Sequence, residues 1–128
     1  MNKAAYFYKQ SQFYMDNKFY PDAVSRRYYA LFHLMVDVIE QYTNNYNRHH
    51  DAIRIKFQEF YQQIEPGNID SFISEAYQAR CNADYTRDRS KQFTERKFIL
   101  KYRKITNLIQ RICKDTGINT VFESDDKN

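Results

Sequence analysis

Arg26, Tyr29 and His33, flanked by Asp22 and Asp37, have the types and spacing that phosphate-ester chemistry asks for. At about 100° per residue, positions 22, 26, 29, 33, 37 and 40 fall on one arc of a helix, with Tyr29 between the guanidinium and the imidazole. Arginine offers a permanent fork of donors that matches phosphate oxygens and stabilises charge as it develops. Histidine moves a proton near neutral pH. RNA carries its own nucleophile in the 2′-hydroxyl, so cleaving it takes a base, an acid and a cation, without a metal or other cofactor. On this reading Arg26, Tyr29 and His33 are catalytic. Asp37, one turn beyond His33, is expected to hydrogen-bond its ring and fix the tautomer. Asp22, one turn before Arg26, is expected to orient the guanidinium. The same stripe is also compatible with a solvated helix face whose Asp–Arg and His–Asp pairs contribute about 0.2–0.5 kcal/mol each. Arg27 falls towards the apolar arc, where it either snorkels or reaches a buried acid.

The helix that must carry this stripe runs from about Pro21 to Tyr42, with Val24, Tyr28, Leu31, Met35, Val38, Ile39 and Tyr42 gathered on the opposite, core-facing arc. Pro21 suits its first turn, and Thr43-Asn44-Asn45-Tyr46-Asn47 suits its end. Apolar periodicity predicts a helix before it, about Lys3–Asn17, and three after it, about His49–Ile64, Ile69–Asp88 and Lys91–Thr116. Pro66-Gly67 separates the third and fourth, and Gly117 closes the last. Short connections between amphipathic helices predict an all-α up-and-down bundle of four to five helices over residues 1–117, followed by an acidic, flexible tail over 118–128.

Composition agrees. The 128 residues suit one domain, and two Gly and two Pro are too few for a protein of hairpins. The absence of a long apolar run excludes a transmembrane helix, and the polar start after Met1 predicts no signal peptide and a cytoplasmic place. The lone Cys81 and Cys113 predict reduced thiols. Net charge is +4 but uneven: residues 1–79 carry 8 basic and 9 acidic side chains, 80–114 carry 11 and 3, and 115–128 carry 1 and 4. The basic stretch suits either a solvated face or a phosphate backbone. Lys97, Lys101, Lys104 and Arg111 share one face of the last helix and are candidates to guide an RNA strand. His49-His50-Asp51 is a weak metal candidate, because adjacent helical residues point about 100° apart.

Three segments, in order, resemble small HEPN-domain proteins (higher eukaryotes and prokaryotes nucleotide-binding). Asp22-Ala23-Val24-Ser25-Arg26-Arg27-Tyr28-Tyr29-Ala30-Leu31-Phe32-His33 is similar to their "a-x-x-R-a-Y-Y-a-x-F-H" helix, His49-His50-Asp51-Ala52-Ile53 to their "H-x-x-I" start, and Arg80-Cys81-Asn82-Ala83-Asp84-Tyr85 to their "R-x-x-A-D-Y" segment. The resemblance covers about residues 4–113. It implies an all-α bundle that pairs as a symmetric homodimer. Many members are metal-independent endoribonucleases with an Arg-x(4–6)-His motif, acting as toxins or in phage defence, commonly beside a nucleotidyltransferase antitoxin. Arg26 and His33 have six residues between them, and Arg27 and His33 have five, so both pairs fit that motif. In the best-understood ribonuclease members the motif lies near the last helices, whereas here no His follows residue 50. The competing expectation is a non-catalytic RNA- or protein-binding subunit of a toxin–antitoxin or defence complex.

Overall fold

The computed structural model describes residues 2–43, 49–65, 67, 69–85 and 95–123. They form α1 (Lys3–Asp16), α2 (Tyr20–Tyr42), α3 (His50–Ile64), α4 (Asp70–Tyr85) and α5 (Glu95–Thr116), then a 3-10 turn, Thr120–Phe122. No strand occurs among the described residues, and none of their helices is long and apolar enough to cross a membrane. Local chemistry explains the ends. The Asn2 side chain caps α1 by accepting from the Ala5 amide at 3.1 Å. Lys18, at φ 64°, turns the chain so that Pro21 enters the first turn of α2. The predicted ends of α1 to α3 hold to within one residue; the expected extensions of α4 over 86–88 and of α5 over 91–94 lie outside the described residues.

All four other helices pack on α2. Its predicted core arc is sealed, with Val24, Tyr28, Leu31, Met35 and Ile39 fully buried, but burial does not stop there. Ala30, Phe32, Leu34 and Val36 are buried too, so α2 is a central helix without a broad solvent face. Each large apolar side chain buried in this way contributes about 1.5–3 kcal/mol. The expected polar face is therefore a half-buried seam between α2 and the helices that cover it. Tyr42, expected in the core, is instead 52% exposed and stacks on Phe60 at 4.7 Å, because it lies at the end of α2 beyond the surrounding helices.

Arg27 neither snorkels nor meets an acid. It is 1% exposed, with its guanidinium carbon 3.6 Å from the centre of the Tyr8 ring and 4.3 Å from that of Tyr102. Its Nη2 donates to the Tyr102 hydroxyl and, at 3.5 Å, to Gln12 Oε1. Burial pulls its pKa below the ordinary value, and the two tyrosines act in the opposite direction. Two ring faces and two oxygens thus replace the carboxylate that the sequence suggested.

Past Gly117, within the span expected as a tail, residues 118–123 stay on the bundle. Val121 is buried, Phe122 packs edge-on against Tyr8 at 5.3 Å, and the Thr120 hydroxyl donates to Asp37 Oδ2 at 2.6 Å. A short apolar pair, Val121-Phe122, docks where α1 and α2 leave room; residues 124–128 lie outside the described set. Both cysteines are free, and burial raises the Cys113 thiol to about 11, which keeps it unreactive.

Candidate active site on the central helix

Arg26, Tyr29 and His33 lie along the half-buried seam of α2, each only partly exposed. The Arg26 guanidinium carbon is 5.9 Å from the centre of the Tyr29 ring. Phe7 of α1 bridges the other two: its ring lies 5.5 Å from Tyr29 and stacks parallel to His33 at 5.4 Å and 6°. Phe32 meets the imidazole edge-on at 5.4 Å. The histidine is therefore held by packing, with one ring face covered.

Arg26 differs from its neighbour. It makes no hydrogen bond or ion pair among the described residues; the Nε of both arginines is buried without a partner, but only Arg27 has its Nη2 bonded. The guanidinium is partly exposed and faces the Tyr29 ring, so its remaining donors can meet an anion. Thus Arg27 is committed to the core while Arg26 remains available. Of the two arginines whose spacing from His33 fits the motif, Arg26 is thus the one left partly exposed.

A further residue joins the cluster. Arg80, on α4, donates from Nη2 to the Tyr29 hydroxyl at 2.9 Å, and its Nε lies 3.5 Å from Asp84 Oδ2 one turn along. Its guanidinium also faces the rings of Tyr29 at 5.3 Å and Tyr77 at 5.5 Å. Because the Tyr29 oxygen accepts from Arg80, its own O–H points elsewhere as a donor. Sequence reasoning gave Arg80 no role. The Arg80/Asp84 spacing of four signals a helical pair, but a wheel does not tell that this face of α4 meets Tyr29.

The two residues expected to orient the cluster have other surroundings. Asp37 makes no hydrogen bond to His33: its Oδ2 accepts from Asn2 at 3.2 Å and from Thr120 at 2.6 Å, so it ties both ends of the chain to α2. Burial raises its pKa, and those two hydrogen bonds lower it by less. Asp22 is exposed in the first turn of α2 and makes no ion pair with Arg26; there it complements the helix dipole.

The basic face of α5 is also divided. Lys97 is exposed near its start. Lys101 and Lys104 both reach Glu75 Oε1 of α4, at 3.1 and 3.0 Å, and hold its carboxyl below the ordinary range. Arg111 lies 3.8 Å from Asp115 Oδ2 and over the Tyr61 and Phe72 rings. These four are not an uninterrupted strip of unpaired cations, since Lys101 and Lys104 share Glu75 and Arg111 faces Asp115. His49 is exposed at the start of α3 and the His50 side chain is outside the described set; the described residues contain no group of three metal-ligating side chains.

The chain is similar to "Putative toxin MJ0605" of Methanocaldococcus jannaschii, at 29% identity over 104 residues, covering 78% of this chain and 75% of that protein. No solved structure matches it. The HEPN domain family model matches residues 1–114, and with an all-helical bundle around a central arginine- and histidine-bearing helix, the chain belongs to the HEPN family.

Proposed function

We propose that this protein is a metal-independent endoribonuclease of the toxin or phage-defence type, with RNA as its substrate. The single observation that carries this reading is the partly exposed guanidinium of Arg26, without a hydrogen bond or ion pair among the described residues, on the same helix seam as His33. His33 takes the proton from a 2′-hydroxyl, whose oxygen attacks the adjacent phosphorus. Arg26 and the Tyr29 O–H donate to the phosphorane oxygens, and the 5′-oxygen departs with a proton. Arg80 holds Tyr29 as a donor. One chain brings one imidazole to the seam, so a homodimer with facing seams supplies base and acid from the two copies of His33. A toxin of this kind works in the cytoplasm under a nucleotidyltransferase-type antitoxin.

The test is cleavage of a labelled single-stranded RNA in EDTA by the wild type, His33→Ala and Arg26→Ala. Loss in both variants is expected, with the unfolding midpoint of Arg26→Ala nearly unchanged and that of His33→Ala lowered but above the assay temperature. Undiminished cleavage by His33→Ala, or abolition of wild-type cleavage by EDTA, overturns the mechanism. The parallel packing of His33 on Phe7 favours a second reading, a non-catalytic RNA- or protein-binding subunit in which the imidazole is a packing element. Salt-sensitive RNA binding without cleavage distinguishes it.

A further inference from the structure

A groove of about 260 Å³ lies between α4 and α5, apart from the seam on α2. It exists because α4 presents the small side chains Ala76 and Ala79 opposite Ile105 and Leu108 of α5. Phe72, 52% exposed, stands at its mouth. The rim is cationic: Lys101, Lys104 and Arg111 line it against a single lining carboxylate, Glu75.

We propose that this groove docks an acidic amphipathic helix of a protein partner, with apolar side chains in the slot and carboxylates on the lysine rim. Size and chemistry select this occupant. The slot is smaller than the roughly 300–1,000 Å³ of small-molecule sites, but it accepts the one or two anchors that a helix presents at i and i+3 or i+4. The rim already shows its preference, since two ammonium groups converge on one oxygen of Glu75 at 3.0 and 3.1 Å. Each ammonium carries three donors, which leaves capacity for a second carboxylate. With Glu75 counted, the lining charge is still positive, three cations to one anion. A phosphate backbone would share that attraction, but the slot is aliphatic, and its one aromatic side chain, Phe72, has the Arg111 guanidinium 5.9 Å from its ring centre. Stacked bases need ring faces along the strand, and the slot offers Phe72 alone, at its mouth.

The test is selection from a phage-displayed library of random peptides, about four helical turns long, on the full chain. Enriched peptides should combine apolar residues three or four apart with several Asp or Glu. Their binding should weaken about tenfold or more in Lys104→Glu and in Phe72→Asp, and fall with salt. Both positions are exposed, so both variants fold. Arg103→Glu, exposed on α5 but outside the groove lining, and Ile55→Asp, exposed on α3, should bind as the wild type does. The proposal is overturned by no enrichment, by enriched peptides without acidic residues, or by equal loss in all four variants. It is likewise overturned if a single-stranded RNA binds the groove through Lys104 and Phe72, or if sedimentation shows that the same two substitutions abolish self-association, which would assign the groove to a second copy.

Discussion

Replacing Arg27 separates what its charge does from what its volume does. The side chain is 1% exposed, with ring centres at 3.6 and 4.3 Å from the guanidinium carbon, and it donates to the Tyr102 hydroxyl. Arg27→Ala removes two desolvated cation–π contacts of about 1–2 kcal/mol each and two buried methylenes of about 0.8 kcal/mol each. It also relieves the desolvation of a cation, which offsets part of that loss. A net destabilisation of about 2–4 kcal/mol is expected. Arg27→Met keeps the apolar stem and most of the volume while it removes the charge, so its cost should stay within about 1.5 kcal/mol. Urea unfolding followed by circular dichroism measures both, with Arg26→Ala as the companion. Arg26 lacks polar partners among the described residues, so its truncation should leave the midpoint nearly unchanged or raise it slightly. If Arg27→Ala is neutral, if Arg27→Met is as damaging as Arg27→Ala, or if Arg26→Ala costs more than either, the assignment of the two arginines is wrong.

Three further outcomes follow from the same contacts. Tyr29→Phe removes the acceptor of the 2.9 Å hydrogen bond from Arg80, so stability should fall by about 1–2 kcal/mol and RNA cleavage by at least about tenfold; unchanged cleavage would remove Tyr29 from the mechanism. Asp37 has its pKa raised by burial from an ordinary 3.8, so the folded chain retains a proton that the unfolded chain has released. Its contribution to stability therefore falls as pH rises from that value through the folded pKa; Asp37→Asn should lack this fall and gain relative to wild type towards neutral pH, and unfolding midpoints of both proteins across that range that stay parallel would refute it. Truncation after Gly117 deletes buried Val121 and the Thr120–Asp37 hydrogen bond of 2.6 Å, so a loss of about 2–4 kcal/mol is expected; a thermal midpoint equal to that of the full chain would show that the turn does not stabilise the bundle.

Much of this molecule is legible in its residues. Apolar periodicity, Pro21, Pro66-Gly67 and Gly117 specify the helices and most of their ends, because turn chemistry and backbone sterics act within a few residues. The Arg26–Tyr29–His33 alignment is equally local, since it follows from 3.6 residues per turn. What a wheel cannot contain is the identity of the helix packed against each face. The meeting of Tyr8 and Tyr102 around Arg27 joins α1, α2 and α5, and the hydrogen bond from Arg80 to Tyr29 joins α4 to α2. Asp37 is drawn to Asn2 and Thr120, from opposite ends of the chain, although His33 is one turn away on the same helix. Lys101 and Lys104 turn to Glu75 for a similar reason: the nearest opposite charge stands on a neighbouring helix. Local sterics and turn geometry thus determined the helices and the order of groups along them. Only tertiary packing decided which of those groups are spent on the interior and which remain available to a ligand, because desolvation and pairing depend on neighbours distant in sequence.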